Sequence, residues 1–142
     1  MDCELCEDDG GSVLWRDDFC RIVRVSSRDY PGYCRVILNR HASEMTDLAA
    51  SERERLMRAV FACETAVRNL FRPDKVNLAS LGNRVPHLHW HVIARHTDDR
   101  TFPDPIWATP RREAGVRGQT RSVVTDARLG DSLAALLARA AG

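Results

Sequence analysis

Two groups of side chains in this 142-residue chain have the types and spacing to do chemistry. The first is His87-Leu88-His89-Trp90-His91-Val92-Ile93. Three of the chain's five histidines fall there, each separated from the next by one apolar residue. Side chains on an extended strand alternate between faces. The spacing therefore predicts that His87, His89 and His91 share one face, with Leu88, Trp90 and Val92 on the other. Same-face neighbours stand roughly 6.5–7 Å apart. That span suits either a metal chelate or successive contacts along a phosphate chain. The second group is Cys3-Glu4-Leu5-Cys6. A Cys-x-x-Cys pair is the commonest half of a tetrahedral zinc site. Thiol redox chemistry fits it less well, because no βαβ pattern of the thioredoxin kind surrounds it.

These groups need elements to hold them. Val13–Arg16 and Phe19–Val25 alternate and are rich in β-formers, with a turn at Asp17-Asp18, so they read as two strands. Asp29-Tyr30-Pro31-Gly32 is a turn signal, and Tyr33–Leu38 reads as a third strand that delivers the chain to His41. Ser51 and Glu54 have the spacing of a capping box. After them Leu56, Val60, Cys63, Val67 and Leu70 recur at helical spacing, which predicts one long amphipathic helix to Phe71, ended by Pro73. Lys75–Leu81 and His87–Ala94 read as strands around a Gly82-Asn83 turn. Phe102–Pro110, with three prolines and Trp107, reads as an irregular packed segment, and Arg111–Arg121 as a mobile loop. Asp131 is placed to cap a last short helix, with Leu133, Leu136, Leu137 and Ala140 on one face. Strands clustered around one long helix, opening with a hairpin, predict an α+β fold with an antiparallel sheet.

Composition narrows the field. The length suits one domain. Hydrophobic residues make up 44% and charged residues 29%, which is the balance of a globular protein. Net charge is +1, so nothing points to nucleic acid or a membrane surface. Only Lys75 among the 21 basic residues is a lysine. The acidic start MDCELCEDDGG has no apolar core of a signal peptide, and no apolar run reaches the length of a membrane span. With five cysteines and no secretion signal, a disulfide framework is disfavoured and a cytoplasmic location is expected. Cys20, Cys34 and Cys63 lie in strand or helix patterns and read as core, and His96 in its charged turn reads as solvated.

The triad stretch matches the His-φ-His-φ-His-φ-φ motif of the histidine triad (HIT) superfamily, φ being apolar. Arg35–Leu48 resembles that family's strand that ends at a basic residue and a histidine, and Gly82-Asn83 resembles its Gly-Gln step. The resemblance covers about residues 3–107. It looks most like a bacterial branch often described as diadenosine tetraphosphate hydrolase-like. It implies a HIT-like fold over residues 1–107, with an antiparallel sheet of about five strands, one long helix and short helices, followed by a C-terminal extension over 108–142 with a basic loop and a short terminal helix.

It also implies a chemistry. His89 attacks the α-phosphorus and forms a nucleotidyl-imidazole that water opens. A backbone carbonyl holds its second nitrogen. His91 meets the phosphate oxygens and the leaving group, as donor or general acid. Asn83 stands where the family has an amide near the phosphate, and Asn77 is a further nucleotide contact. Arg84 replaces the usual small hydroxyl residue. Phe19, Ile22 and Leu38 fall where relatives hold the base. Zinc-containing relatives imply Cys3, Cys6, His41 and His87 as a closed, structural site, one zinc per chain. A nucleotide substrate and a two-fold homodimer complete the expectation. The substrate could be a dinucleoside polyphosphate, a phosphoramidate or an acyl-adenylate. Two other readings stand beside this one. One is a nucleotide-binding regulatory module with weak activity. The other is a catalytic zinc hydrolase ligated by the three triad histidines, which makes the cysteines superfluous.

Overall fold

The alternation along Tyr33–Leu38 and His89–Arg95 becomes the middle of a five-stranded antiparallel sheet. The computed structural model describes residues 2–113, 115 and 123–141. In chain order the elements are α1 (Glu4–Glu7), β1 (Ser12–Arg16), β2 (Cys20–Arg24), β3 (Tyr33–Leu38), a 3-10 turn (Met45–Asp47), α2 (Ala50–Phe71), β4 (Lys75–Ala79), β5 (His89–Arg95) and α3 (Asp126–Ala141). The strands lie in the order β1-β2-β3-β5-β4. The fold is α+β, as the sequence predicts.

The register divides the sheet into two unlike faces. Cys34 pairs Val92 and Val36 pairs Trp90, so these side chains share the face that α2 covers. Leu56, Val60, Cys63, Val67 and Phe71 of α2 are fully buried against it. Arg35 pairs His91 and Ile37 pairs His89, which puts these four on the opposite face. α3 packs on α2 and β1 through Leu129 and Leu133, both fully buried in the same core. Gly130 lets it come close, since a Cβ there would meet the Leu14 carbonyl at 3.0 Å.

Several boundaries depart from the sequence reading, each for a tertiary reason. α2 starts at Ala50, with Ser51 inside its first turn. The Glu52 carboxylate, held by Arg40, accepts the Ala49 N–H at 2.9 Å, so the reciprocal bond forms two residues ahead of the predicted pair. α2 ends where expected, with Arg72 in the left-handed region before Pro73. α3 begins at Asp126, not Asp131. Thr125 Oγ1 accepts the Arg128 N–H at 3.2 Å, and the Asp126 carboxylate is tied to Ser12 and Arg24 on the sheet. β4 stops at Ala79, and β5 begins at His89, because the β3 ladder ends at Ile37–His89. Of the loop read over Arg111–Arg121, residues 114 and 116–121 lie outside the described residues.

Three side-chain expectations change as well. Ile22 and Leu38 are fully buried on the helix-covered face, so neither lines an open pocket. His96 is not solvated: it is 3% exposed, and its Nε2 lies 3.4 Å from the Phe71 carbonyl at the end of α2. Cys20, Cys34 and Cys63 are core residues and free thiols, as expected. Among the described residues, no helix is long and apolar enough to cross a membrane.

Candidate active site and metal centre

His89 and His91 project from β5 at two consecutive same-face positions and are almost fully buried. Their ring centroids stand 5.0 Å apart with planes crossed at 82°. His89 Nδ1 lies 2.5 Å from the His87 carbonyl oxygen. A carbonyl only accepts, so Nδ1 carries the proton and Nε2 presents its lone pair. Burial pushes the His89 pKa down, against the pull of that carbonyl. A neutral imidazole with one nitrogen held and the other bare is a nucleophile at neutral pH.

His91 is held differently. Its Nδ1 lies 3.0 Å from the Tyr33 hydroxyl, which is itself buried. Trp107 packs edge-on against its ring at 4.9 Å between centroids. Burial, with the charges of His89 and Arg35, brings its pKa from 6.5 down to about 4. The ring is therefore neutral at pH 7. With the Tyr33 hydroxyl donating to Nδ1, Nε2–H is free to donate to an anion.

His87 precedes the strand and does not join the row that the alternation predicts. It is 1% exposed, and its Nε2–H donates to the Leu38 carbonyl at 2.6 Å. Its Nδ1 is left as a lone pair that faces Cys3, Cys6 and His41. Cys3 Sγ lies 3.3 Å from it, Cys6 Sγ 3.5 Å and His41 Nδ1 3.3 Å. Cys6 Sγ is 3.6 Å from His41 Nδ1. The four ligand atoms all lie within 4.8 Å of one another, a group able to hold a metal ion. A hydrogen bond with the Cys3 side chain, then burial and the Cys3 charge, raise the Cys6 thiol pKa; a bound cation would favour the thiolate instead. The N-terminal segment that carries the cysteines is anchored. Arg21 donates to the carbonyls of Leu5 at 2.7 Å and Asp9 at 3.0 Å, and Leu5 packs with Cys3, Val23 and Ile37.

The HIT domain pattern matches residues 9–98. This chain belongs to the HIT domain family. Its structure is similar to two solved HIT-type proteins at 26–27% identity. A histidine triad protein of Bradyrhizobium japonicum matches at 26% identity and a TM-score of 0.71, over 88% of this chain and 92% of that one. A histidine triad protein of Marinobacter aquaeolei matches at 27% and 0.72, over 90% and 92%. A third, from Sinorhizobium meliloti, has the same fold at 23% identity and 0.72, over 93% and 96%. No curated protein matches the chain.

Within this HIT chain the remaining candidates are spread out. Asn83 and Arg84 are exposed on the turn between β4 and β5, where Gly82 takes a φ of 81°. Asn77 is half-buried on β4, and its Oδ1 accepts from Arg95 Nη1 at 2.8 Å. It also lines a cavity of about 500 Å³ with Ala79, Leu81, Ile93, Ile106 and Trp107. Tyr33 and Trp107, which flank His91, carry no signal in their own neighbourhoods. Tyr33 meets His91 only once β3 is known to pair β5. Trp107 reaches it because buried Arg95 holds the following segment. Arg95 pairs Asp99 at 2.8 Å and donates to the Asp104 carbonyl at 2.8 Å.

Proposed function

We propose that this protein is a nucleotide hydrolase or transferase that works through a covalent intermediate on His89. The observation that carries this is the 2.5 Å contact of His89 Nδ1 with the His87 carbonyl, which leaves Nε2 as a lone pair. In the first step Nε2 bonds to the α-phosphorus and the bond from phosphorus to the leaving group breaks. His91 Nε2–H hydrogen-bonds the phosphate oxygens and steadies the departing group, which takes a proton from solvent where it needs one. Water then bonds to phosphorus, gives up its proton to solvent, and the P–N bond breaks, which restores neutral His89. With its pKa near 4, His91 serves the free enzyme as a donor and not as a charged acid. Asn83 supplies an amide donor to a phosphate oxygen, Arg84 meets the outer phosphates of a polyphosphate, and Asn77 offers its amide N–H from the cavity wall. The substrate class is a dinucleoside polyphosphate of the Ap4A kind or a nucleoside phosphoramidate.

The metal that suits Cys3, Cys6, His41 and His87 is zinc, one per chain. With Zn–S near 2.3 Å and Zn–N near 2.0–2.1 Å, tetrahedral edges come to about 3.3 Å between nitrogens and about 3.5 Å between sulfur and nitrogen. The separations of 3.3–3.6 Å fit. Four protein ligands close the sphere, so the metal would be structural. What it would fix is His87, whose carbonyl orients His89. We further take residues 1–107 as the HIT domain and 108–142 as an extension, whose α3 packs on α2 and β1. A two-fold homodimer in the cytoplasm, where five free thiols stay reduced, completes the reading.

Labelled Ap4A or an adenosine phosphoramidate, quenched in base to spare the P–N bond, should leave label on the wild-type protein and none on His89→Ala. Label or turnover retained by His89→Ala sinks the mechanism. Nucleotide binding without turnover in the wild type would leave a regulatory binding module. Purified protein should hold close to one zinc per chain. Chelation should lower the melting temperature strongly while any metal-retaining fraction keeps full activity per site.

A further inference from the structure

Five cations project from the strands on the histidine face: Arg16, Arg21, Arg35, Lys75 and Arg95. Four have partners for their charge or their donors. Arg16 is ion-paired with Asp9. Arg21 donates to the carbonyls of Leu5, Asp8 and Asp9. Arg95 is ion-paired with Asp99 and donates to Asn77 and Thr101. Lys75 Nζ donates to the Val76 carbonyl at 2.7 Å. Arg35 is the exception. Among the described residues only its Nη1 meets an acceptor, the Gly10 carbonyl, at a long 3.2 Å. Its Nε is buried and has no hydrogen-bond partner among the described residues. No described carboxylate pairs with it either.

Its place on the sheet gives this meaning. Arg35 is the register partner of His91 across β3 and β5. Its guanidinium carbon stands 5.6 Å from the Tyr33 ring centre, and Tyr33 holds His91. Its charge reaches both catalytic candidates and pushes their pKa values down. A buried N–H of a cation without an acceptor is costly, and the two imidazoles beside it are neutral. The arrangement lacks one anion, and a guanidinium is shaped to take two oxygens of a phosphate at once. We propose that Arg35 is a substrate-binding residue whose guanidinium takes the oxygens of a substrate phosphate on the His89–His91 face. The proposal rests on reading that face as the phosphate site, and it names the fixed positive charge that His89, His91 and Asn83 do not supply.

Calorimetric titration of the full, metal-loaded chain with AMP, adenosine and inorganic pyrophosphate tests it. Wild type should bind AMP more tightly than adenosine. Arg35→Gln should lose about tenfold to a hundredfold in affinity for AMP and pyrophosphate and keep its adenosine affinity. Arg35→Lys, which keeps the charge without the fork, should fall between and supplies the same comparison if the glutamine variant does not fold. Unchanged AMP and pyrophosphate affinity in both variants overturns the proposal. So does an equal loss for adenosine, or a wild type that binds neither anion. The covalent step fails separately. A wild type that binds pyrophosphate through Arg35 but traps no label on His89 refutes the intermediate and leaves the anion site standing.

Discussion

The two faces of β5 are made by alternate residues of one strand, yet they are built by opposite rules. Val92 and Ala94 look onto α2 and need only volume to be filled. His89, His91 and Arg95 are as deeply buried, and their ring or guanidinium nitrogens have fixed partners: the His87 carbonyl, the Tyr33 hydroxyl and the Asp99 carboxylate. Packing is tolerant in direction and a hydrogen bond is not. The helix-covered face should therefore carry stability and the histidine face reactivity, and substitutions can set the two against each other.

The largest effect is expected from His89→Ala, which should lower turnover by a factor on the order of 10⁴ or more while the fold persists. A variant that keeps a tenth of wild-type turnover would break the division of labour. Ile22→Ala, on the opposite face, should cost about 2–5 kcal/mol in urea unfolding and leave kcat of the folded fraction within twofold. A large drop in kcat there would mean that the helix-covered face tunes the site. Tyr33→Phe removes one hydroxyl and keeps the ring. It should slow turnover by about tenfold through loss of the hold on His91, with under about 1.5 kcal/mol of stability lost. The smallest signal is pH. The folded His91 binds its proton near pH 4 and the unfolded one near 6.5, so between these values the unfolded chain holds more protons. Stability should fall as pH drops through 6.5 toward 4 and stay level above. His87 and His89, also lowered by burial, push the same way. A urea midpoint that does not move between pH 7.5 and 5 would contradict it. Ile22→Ala should shift the midpoint equally at both.

Metal removal tests the link between the faces and the N-terminus. His87 is shared: its side chain faces Cys3, Cys6 and His41, and its carbonyl holds His89. His87 and Leu88 also explain why the row of three histidines in the sequence is not a row in space. The strand begins at His89, and the two residues before it follow other bonds, Leu88 N–H to the Ala42 carbonyl at 2.7 Å among them.

The features readable from sequence were those set by local periodicity or by short spacing. Alternation placed Trp90 and Val92 opposite His89 and His91. The 3.6-residue repeat gave α2 its buried stripe, and Pro73 its end. Cys-x-x-Cys with His41 and His87 named, through the family resemblance, the group that the fold gathers closely enough to hold a metal ion. What local patterns could not carry was anything that depends on a partner far along the chain. The α2 start followed Arg40 and Glu52, and the α3 start followed Ser12 and Arg24. His96 was placed in water because its neighbours are charged, but the end of α2 closes over it.

The amino-acid sequence by itself determined which side chains share a face and which chemistry they are suited to, because strand and helix periods act within a few residues. The tertiary structure alone decided the protonation of the site. His89 takes its partner from the His87 carbonyl two residues back, where the chain turns into β5. Which donor holds His91 and why Arg35 has no carboxylate among the described residues depend instead on groups brought together across strands. A proton sits where its partner is, and the partner of each of these side chains is chosen by the fold.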